Sequence, residues 1–152
     1  MPIIDQYFLD DLSKQAKESP RQRSHFLMHE SHDDLVQRLC IALEPTTYVR
    51  PHRHPQKWES ISLLRGRLLV LIFTDDGEID QRIELEVGKT ALVELPPNTW
   101  HGLVSLQSDS AVLEYKPGPF TAPQPDDFAA WAPEESDERS QEYLKLWQQE
   151  KI

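Results

Sequence analysis

The sequence lacks the features that define several classes of protein. Its one cysteine, Cys40, cannot form an internal disulfide, and its apolar neighbours predict a buried core residue. No apolar run approaches the roughly 18 residues of a membrane-spanning helix. The N-terminal residues do not show the basic-then-apolar order of a secretory signal. We therefore predict a cytoplasmic protein that does not cross a membrane.

Basic charge is also scarce, since the formal net charge is −10 at pH 7. This balance argues against nucleic acid as a partner, because phosphate binding needs a basic surface. Residues 124–152 hold eight acids and three bases, whereas residues 45–67 hold five bases and only Glu59 as an acid. The local basic excess either attracts an anionic small molecule or is the solvent-facing side of strands.

Short runs of strand-forming residues fill the middle of the chain. We predict strands at 38–44, 46–51, 57–64, 67–73, 79–84, 90–94, 102–107 and 110–116. Turn signals separate them, among them Gly66 and the Asp75-Asp76-Gly77 hairpin signal. Because no helical pattern lies between these runs, they predict an all-β jelly roll or small barrel. Small barrels place a site at one open end, where inward side chains meet.

Helical patterns flank this β region on both sides. Apolar residues recur every four positions over residues 4–18, and a second pattern covers residues 134–151. The tail is too rich in large aromatic residues for a disordered segment, so we expect it to dock on the domain or on a partner subunit. We predict one domain with an N-terminal helix and loop over residues 1–36, a barrel over 37–120 and a tail with a helix over 121–152.

A polar segment with three histidines, His25, His29 and His32, precedes the first predicted strand. Their spacing could place them on one helical face that binds a metal. The segment has little apolar character to anchor such a helix, which favours surface histidines on a loop. His25 is the exception, because together with Arg21 and Arg23 it could fold over the mouth of the barrel.

The stretch HRHPQKWESISLLRG, from His52 to Gly66, carries the strongest chemical signal. Because side chains alternate along a strand, His52 and His54 leave the same face of an extended segment. Glu59 follows five residues later, and His101 lies 47 residues beyond His54 in LPPNTWHGL. Three imidazoles and a carboxylate form a ligand set for a divalent first-row metal. The alternative for the first two histidines is a solvated pair on a loop.

These motifs resemble those of the cupin superfamily. HRHPQKWESISLLRG fits the first cupin motif, His-x-His-x4-Glu-x6-Gly, with every spacing kept, and PPNTWH fits the second, Pro-x-Gly-x-x-His. TYVRPHRHPQKWE and EYKPGPF are similar to the WbuC-type cupin-fold metalloproteins of bacterial O-antigen gene clusters. The chain departs from the motifs at Thr46 and Asn98, where glycine is usual, and at Ser105, where asparagine is usual. Asn98 can keep its turn because asparagine tolerates positive φ.

The resemblance implies a cupin jelly-roll barrel with flanking N- and C-terminal helices. It implies one divalent transition metal per chain (iron, zinc, nickel or manganese), held by His52, His54, Glu59 and His101. It also implies a homodimer, which the apolar faces of both terminal segments favour. A place in surface-polysaccharide (O-antigen) biosynthesis follows from the association of such proteins with those gene clusters.

Two functions remain open. The first is a metal-dependent enzyme, an isomerase or a dioxygenase-type cupin, acting on a small polar or anionic, sugar-related molecule. The second is a non-catalytic metal-dependent sensor or carbohydrate-binding module. No Ser-His-Asp set, phosphate loop or dinucleotide fingerprint offers other chemistry. Spare acid or base groups near the metal would favour the enzyme, and their absence would favour the binding module.

Two residues are candidates for substrate binding, Arg50 and His25. Arg50 has the same strand parity as His52 and His54, so it should face the site and could grip a carboxylate or phosphate with two parallel hydrogen bonds. Alternatively, Arg50 pairs with an internal acid such as Glu59 or Glu114. Glu59 likewise could pair with Arg50 or Arg53 and leave the metal three-coordinate.

Overall fold

The computed structural model describes residues 1–149, which form two helices, a short 3₁₀ turn and eight strands. Helix α1 spans Gln6–Glu18, helix α2 spans Ser140–Gln148, and the 3₁₀ turn spans Pro125–Asp127. The strands are β1 Arg23–Leu27, β2 Val36–Leu43, β3 Glu59–Arg65, β4 Arg67–Phe73, β5 Ile79–Glu86, β6 Leu92–Leu95, β7 His101–Ser105 and β8 Ser110–Pro117. No helix among the described residues is long and apolar enough to span a membrane.

The strands form two antiparallel sheets with an apolar core between them. One sheet has five strands in the order β1-β2-β8-β3-β6, and the other has three in the order β5-β4-β7. Side chains from both sheets meet in the core, where Ile61 of β3 and Val70 of β4 are fully buried. The predicted mostly-β, double-sheet architecture with flanking helices is therefore confirmed. Its closure into a barrel is not seen, because no strand ladder joins the two sheets within residues 1–149.

Helix α1 covers the outer face of the five-stranded sheet. Its first turn is capped by the Asp5 carboxylate, which accepts a hydrogen bond from the Phe8 amide at 2.9 Å. Leu12 and Ala16 pack against Cys40 of β2, which is fully buried. The sequence-based predictions of this helix and of a buried Cys40 are confirmed.

The C-terminal tail covers the outer face of the three-stranded sheet. Leu144 and Trp147 of α2 pack against Leu71 of β4, so the tail docks on the domain, as expected. The helix predicted over residues 134–151 begins only at Ser140, and its predicted end lies outside the described residues. Residues 134–139 form turns because the Asp137 side chain accepts the Arg139 amide hydrogen at 2.9 Å, which competes with helical hydrogen bonding.

Three predictions about the segments before the first cupin motif are wrong. Residues 23–27, predicted as loop, form β1 at the edge of the five-stranded sheet. His29, predicted at the surface, is buried and accepts a hydrogen bond at Nδ1 from the Arg38 amide, 3.0 Å away. Conversely, the predicted strand 46–51 is irregular. It begins with a turn in which the Thr47 amide donates to the Glu44 carbonyl at 2.9 Å.

The motif positions that depart from glycine are explained by their backbone angles. Asn98 has φ of 64°, so it adopts the left-handed conformation predicted for the second motif. Thr46 is not among the residues with positive φ, and glycine is therefore not required there. Gly66, with φ of 82°, makes the predicted turn between β3 and β4.

Candidate metal centre

A backbone bridge brings the two cupin motifs together. The His52 amide donates to the His101 carbonyl, and the His101 amide donates to the His52 carbonyl, both at 2.9 Å. Because side chains of directly opposed residues project from the same face, these two rings lie 4.4 Å apart. The His54 ring lies 5.3 Å from that of His52 and 5.7 Å from that of His101. The Asn98 amide donates to the His54 carbonyl at 2.8 Å and closes the second motif onto the first.

Glu59 completes the cluster from the start of β3. Its side chain is only 3% exposed, with Oε2 3.0 Å from His101 Nε2 and Oε1 3.5 Å from His54 Nε2. One ligand atom from each of His52, His54, Glu59 and His101 lies within 4.8 Å of the others. Two ligands on opposite sides of one ion would be about 4.2 Å apart. The structure thus brings all four predicted ligands to within small adjustments of a single-ion site.

Hydrogen bonds on the far side of two rings orient them toward the centre. Nδ1 of His52 lies 3.0 Å from the Arg50 carbonyl, and Nδ1 of His101 lies 2.9 Å from the Thr99 carbonyl. A carbonyl only accepts, so each Nδ1 carries a hydrogen and can leave the Nε2 lone pair facing the centre. Nε2 of His54 and of His101 is buried and faces the Glu59 carboxylate. Buried imidazole nitrogens that converge on a carboxylate fit a divalent metal.

The charges of the cluster also favour a metal. Burial, followed by repulsion from His101, lowers the pKa of His52 to about 3, so this imidazole is neutral at physiological pH. Burial would raise the pKa of Glu59, but hydrogen bonds from His101 and His54 and the charge of Lys116 hold it well below its usual range. Burial would lower the pKa of His101, but the hydrogen bond and charge of Glu59 raise it. A metal would therefore compete with a proton at His101.

The sequence analysis missed the partly buried Lys116 of β8 and considered the buried Glu114 only as a partner of Arg50. Lys116 Nζ donates to Glu59 Oε1 at 2.7 Å and lies 3.6 Å from Glu114 Oε2. The cationic partner of Glu59 is therefore Lys116, and the predicted alternative of Arg50 or Arg53 is wrong. Burial, followed by repulsion from Glu59, raises the pKa of Glu114 to about 7. The available signal was Glu-x-Lys on a strand, which places two charged residues on one face.

A cavity of about 510 Å³ opens beside the cluster. Three of the four candidate ligands line it, as do both predicted substrate-binding residues, Arg50 and His25. Arg50 Nη2 donates to the Ala129 carbonyl at 2.9 Å, and its guanidinium lies 5.6 Å from the Phe128 ring centre. Its predicted alternative partners, Glu59 and Glu114, do not contact it. Whether Arg50 and His25 bind a substrate stays a prediction.

The C-terminal tail supports the first histidine motif. Residues 127–129 run alongside residues 51–53, with an antiparallel bridge between His52 and Phe128. The Ala129 amide donates to the Pro51 carbonyl at 2.9 Å. The backbone that carries His52 is thus held between the second motif on one side and the tail on the other.

Solved structures with similar folds define the class of this protein, which is the cupin fold. The chain is 19% identical to an RmlC-like cupin protein from Desulfovibrio desulfuricans (TM-score 0.50; 62% of this chain and 81% of that chain). It is 19% identical to KdgF from Halomonas sp. (TM-score 0.52; 72% and 86%). It is 18% identical to TT1209 from Thermus thermophilus (TM-score 0.56; 77% and 97%). At these identities the likeness establishes the fold alone.

Within that class, the sequence assigns a particular family. A model of the family described as a domain of unknown function (DUF6016) matches residues 4–85, and the chain belongs to this family. The matched region contains His52, His54 and Glu59 and ends before His101. No curated protein matches the chain.

Proposed function

We propose that this protein is a metal-dependent cupin in which His52, His54, Glu59 and His101 hold one divalent transition metal. The convergence of four ligand atoms within 4.8 Å carries this proposal. Iron, zinc, nickel and manganese all accept imidazole and carboxylate ligands, so the donor set leaves the metal open. A bound metal would supply Lewis-acid polarisation of a substrate oxygen or a water of lowered pKa.

We further propose an enzyme, of isomerase or dioxygenase type, that acts on a small polar or anionic, sugar-related molecule. The cavity beside the cluster has the size of a small-molecule site. Glu114 and Lys116 also line this cavity, next to Glu59, and can hold or transfer a proton at a bound substrate. Such spare acid and base groups favour an enzyme over a sensor or carbohydrate-binding module.

The cellular setting rests on motif resemblance. TYVRPHRHPQKWE and EYKPGPF are similar to WbuC-type proteins, which supports a cytoplasmic role in surface-polysaccharide (O-antigen) biosynthesis. We also propose a homodimer, because apolar side chains such as Leu35 and Tyr7 remain exposed on a single chain.

Metal analysis of protein purified without added metal tests the central proposal. Wild-type protein should carry close to one transition-metal equivalent, and His54→Ala should lower metal affinity by at least about tenfold. His32→Ala is the matched control, because His32 is exposed and lies outside the cluster. Full occupancy in His54→Ala protein would refute the ligand assignment.

A further inference from the structure

Strand β1 and Arg21 just before it contribute a second group of polar side chains to the cavity beside the candidate metal ligands. Arg21, Arg23 and His25 alternate along the chain, and all three line this cavity. Arg23 and His25 oppose Leu43 and Ile41 of β2, which belong to the core between the sheets. Their side chains therefore point into the space between the sheets.

This group lies at the opposite end of the cavity from the candidate metal ligands. β1 is separated from β3, the strand of Glu59, by β2 and β8. Three strand spacings correspond to about 14 Å between the two backbones. The cavity thus has a metal-binding end and an arginine-rich end, with apolar side chains such as Ile41 and Leu39 between them.

Hydrogen bonds to two neutral groups hold the guanidinium of Arg23 in place. Its side chain is 7% exposed, and Nη1 donates to Thr47 Oγ1 at 3.2 Å and to the Tyr48 carbonyl at 3.0 Å. The Thr47 hydroxyl in turn donates to the Arg21 carbonyl at 2.7 Å. These contacts orient the guanidinium without neutralising its charge, so a buried cation is presented to the cavity.

One carboxylate from the C-terminal tail, that of Glu135, serves both arginines. Its Oε2 and Oε1 accept from Nε and Nη2 of Arg21 at 2.9 and 2.8 Å, and Oε1 also accepts from Arg23 Nη2 at 2.5 Å. Two cations share one anion, which leaves a net positive charge at this end of the cavity. The Glu135 side chain is 34% exposed, so it can leave toward solvent. The His25 side chain forms no hydrogen bond within residues 1–149.

The wall of the whole cavity has the same excess of positive charge. Five cationic side chains and three acidic ones line it, and a bound metal would increase this excess of positive charge. The cations are Arg21, Arg23, Arg50, Lys57 and Lys116, and the acids are Glu59, Glu114 and Glu135. Such a field concentrates small anions.

We propose that Arg21, Arg23 and His25 form a subsite for a carboxylate or phosphate group of the substrate, and that Glu135 fills this subsite when no ligand is bound. The proposal rests on the function proposed above, in which the metal holds the other end of the same molecule. An incoming carboxylate or phosphate takes over the paired guanidinium hydrogen bonds that Glu135 now accepts. The His25 ring is placed to bond a neighbouring substrate hydroxyl.

The alternative is that Glu135 only fastens the tail to the sheet. The tail has other anchors close by, since Tyr48 Oη donates to the Pro133 carbonyl at 2.9 Å and Gln141 Nε2 donates to the Thr46 carbonyl at 3.3 Å. The tail therefore stays attached when Glu135 is released. A ligand can replace the Glu135 carboxylate by a movement of that side chain alone.

Calorimetric titration with inorganic phosphate and, separately, with citrate tests the subsite on protein as purified at low ionic strength. Glu135→Gln keeps the side-chain shape but removes the competing charge, so it should tighten anion binding by about tenfold. Arg21→Gln should weaken binding by a similar factor. Arg139→Gln is the matched control, because this exposed arginine pairs with Asp137 at 2.6 Å and does not line the cavity.

The possible results separate the two accounts. If Glu135 only fastens the tail, Glu135→Gln lowers the melting temperature and leaves anion affinity unchanged, which overturns the subsite. Equal binding by wild type and Arg21→Gln, or no binding by wild type and Glu135→Gln, also overturns it. Comparison of the phosphate and citrate titrations shows whether the subsite prefers a phosphate or a carboxylate group.

Metal content measured on the same samples keeps this test distinct from that of the proposed function. Metal-free protein whose phosphate binding depends on Arg21 would support the subsite and count against the metal-dependent function. Metal-loaded protein without that dependence would overturn the subsite alone.

Discussion

Replacement of Glu59 by glutamine separates the two roles that this carboxylate combines. Glu59 lies 3.0 Å from the Nε2 atom of His101 and 2.7 Å from the Nζ atom of Lys116. As a metal ligand, it should hold the ion. As the main partner of the partly buried Lys116, it should stabilise the fold even without a metal.

The stability effect can be estimated from the contacts of Lys116. Removal of one partner from a buried ion pair costs about 3–5 kcal/mol. Glu114 stays 3.6 Å from the Lys116 amine, and the new amide oxygen can still accept a hydrogen bond from it. We therefore expect the free energy of unfolding to fall by about 3 kcal/mol, the lower end of that range. For a chain of this size, this corresponds to a decrease of about 6–12 °C in melting temperature.

Thermal unfolding of chelator-treated protein measures the stability effect, and elemental analysis of untreated protein measures metal retention. Lys116→Met is the control, because it removes the cation and leaves the Glu59 carboxylate available to a metal. Metal content should fall in Glu59→Gln and not in Lys116→Met. Wild-type metal content in Glu59→Gln would refute ligation by Glu59. An unchanged melting temperature of the metal-free variant would refute a stabilising role of the Glu59–Lys116 pair.

Three further predictions concern other parts of the structure. In chemical denaturation, Gly66→Ala should lower stability by about 2 kcal/mol more than Gly88→Ala. Both glycines have positive φ, but only at Gly66 would an added Cβ meet the Ser110 backbone, at 2.8 Å. Equal decreases in stability for the two variants would contradict this account. The folded state raises the pKa of Glu114 from 4.5 to about 7, so it binds a proton that the unfolded chain releases. Its contribution to the stability of metal-free protein is present below pH 4.5 and is lost as pH rises to about 7. Urea unfolding at several pH values should show that Glu114→Gln removes this loss, and an unchanged pH profile would disprove it. Light scattering at micromolar concentration should give twice the 17.7 kDa chain mass, and a monomeric mass would count against the dimer.

Local periodicity made much of the fold and the candidate ligands predictable. Side chains alternate along extended chain, so the spacing of His52 and His54 by itself indicated a shared face. Residue type also indicated backbone conformation, as for Gly66 and Asn98, both of which have positive φ. These features depend only on neighbours in sequence, and the helix over residues 4–18 was predictable for the same reason.

Strand β1 was missed because its pattern is inverted. Arg23 and His25 face the cavity between the sheets, while Phe26 packs against Phe8 of α1 with ring centres 5.0 Å apart. Polar residues on the inner face and an apolar residue beneath a helix do not match the alternation of a half-buried strand. The inner face of β1 lines a cavity instead of the apolar core, and no local pattern reveals this.

The remaining contacts of the site join residues that are far apart in the chain. Lys116 reaches Glu59 across 57 positions, and Glu135 reaches Arg23 across 112. No local pattern encodes such pairs, because they depend on the order in which strands join a sheet and on where the tail docks. Sequence spacing thus defined the candidate metal ligands, whereas the packing of sheet and tail placed the charged groups that surround them.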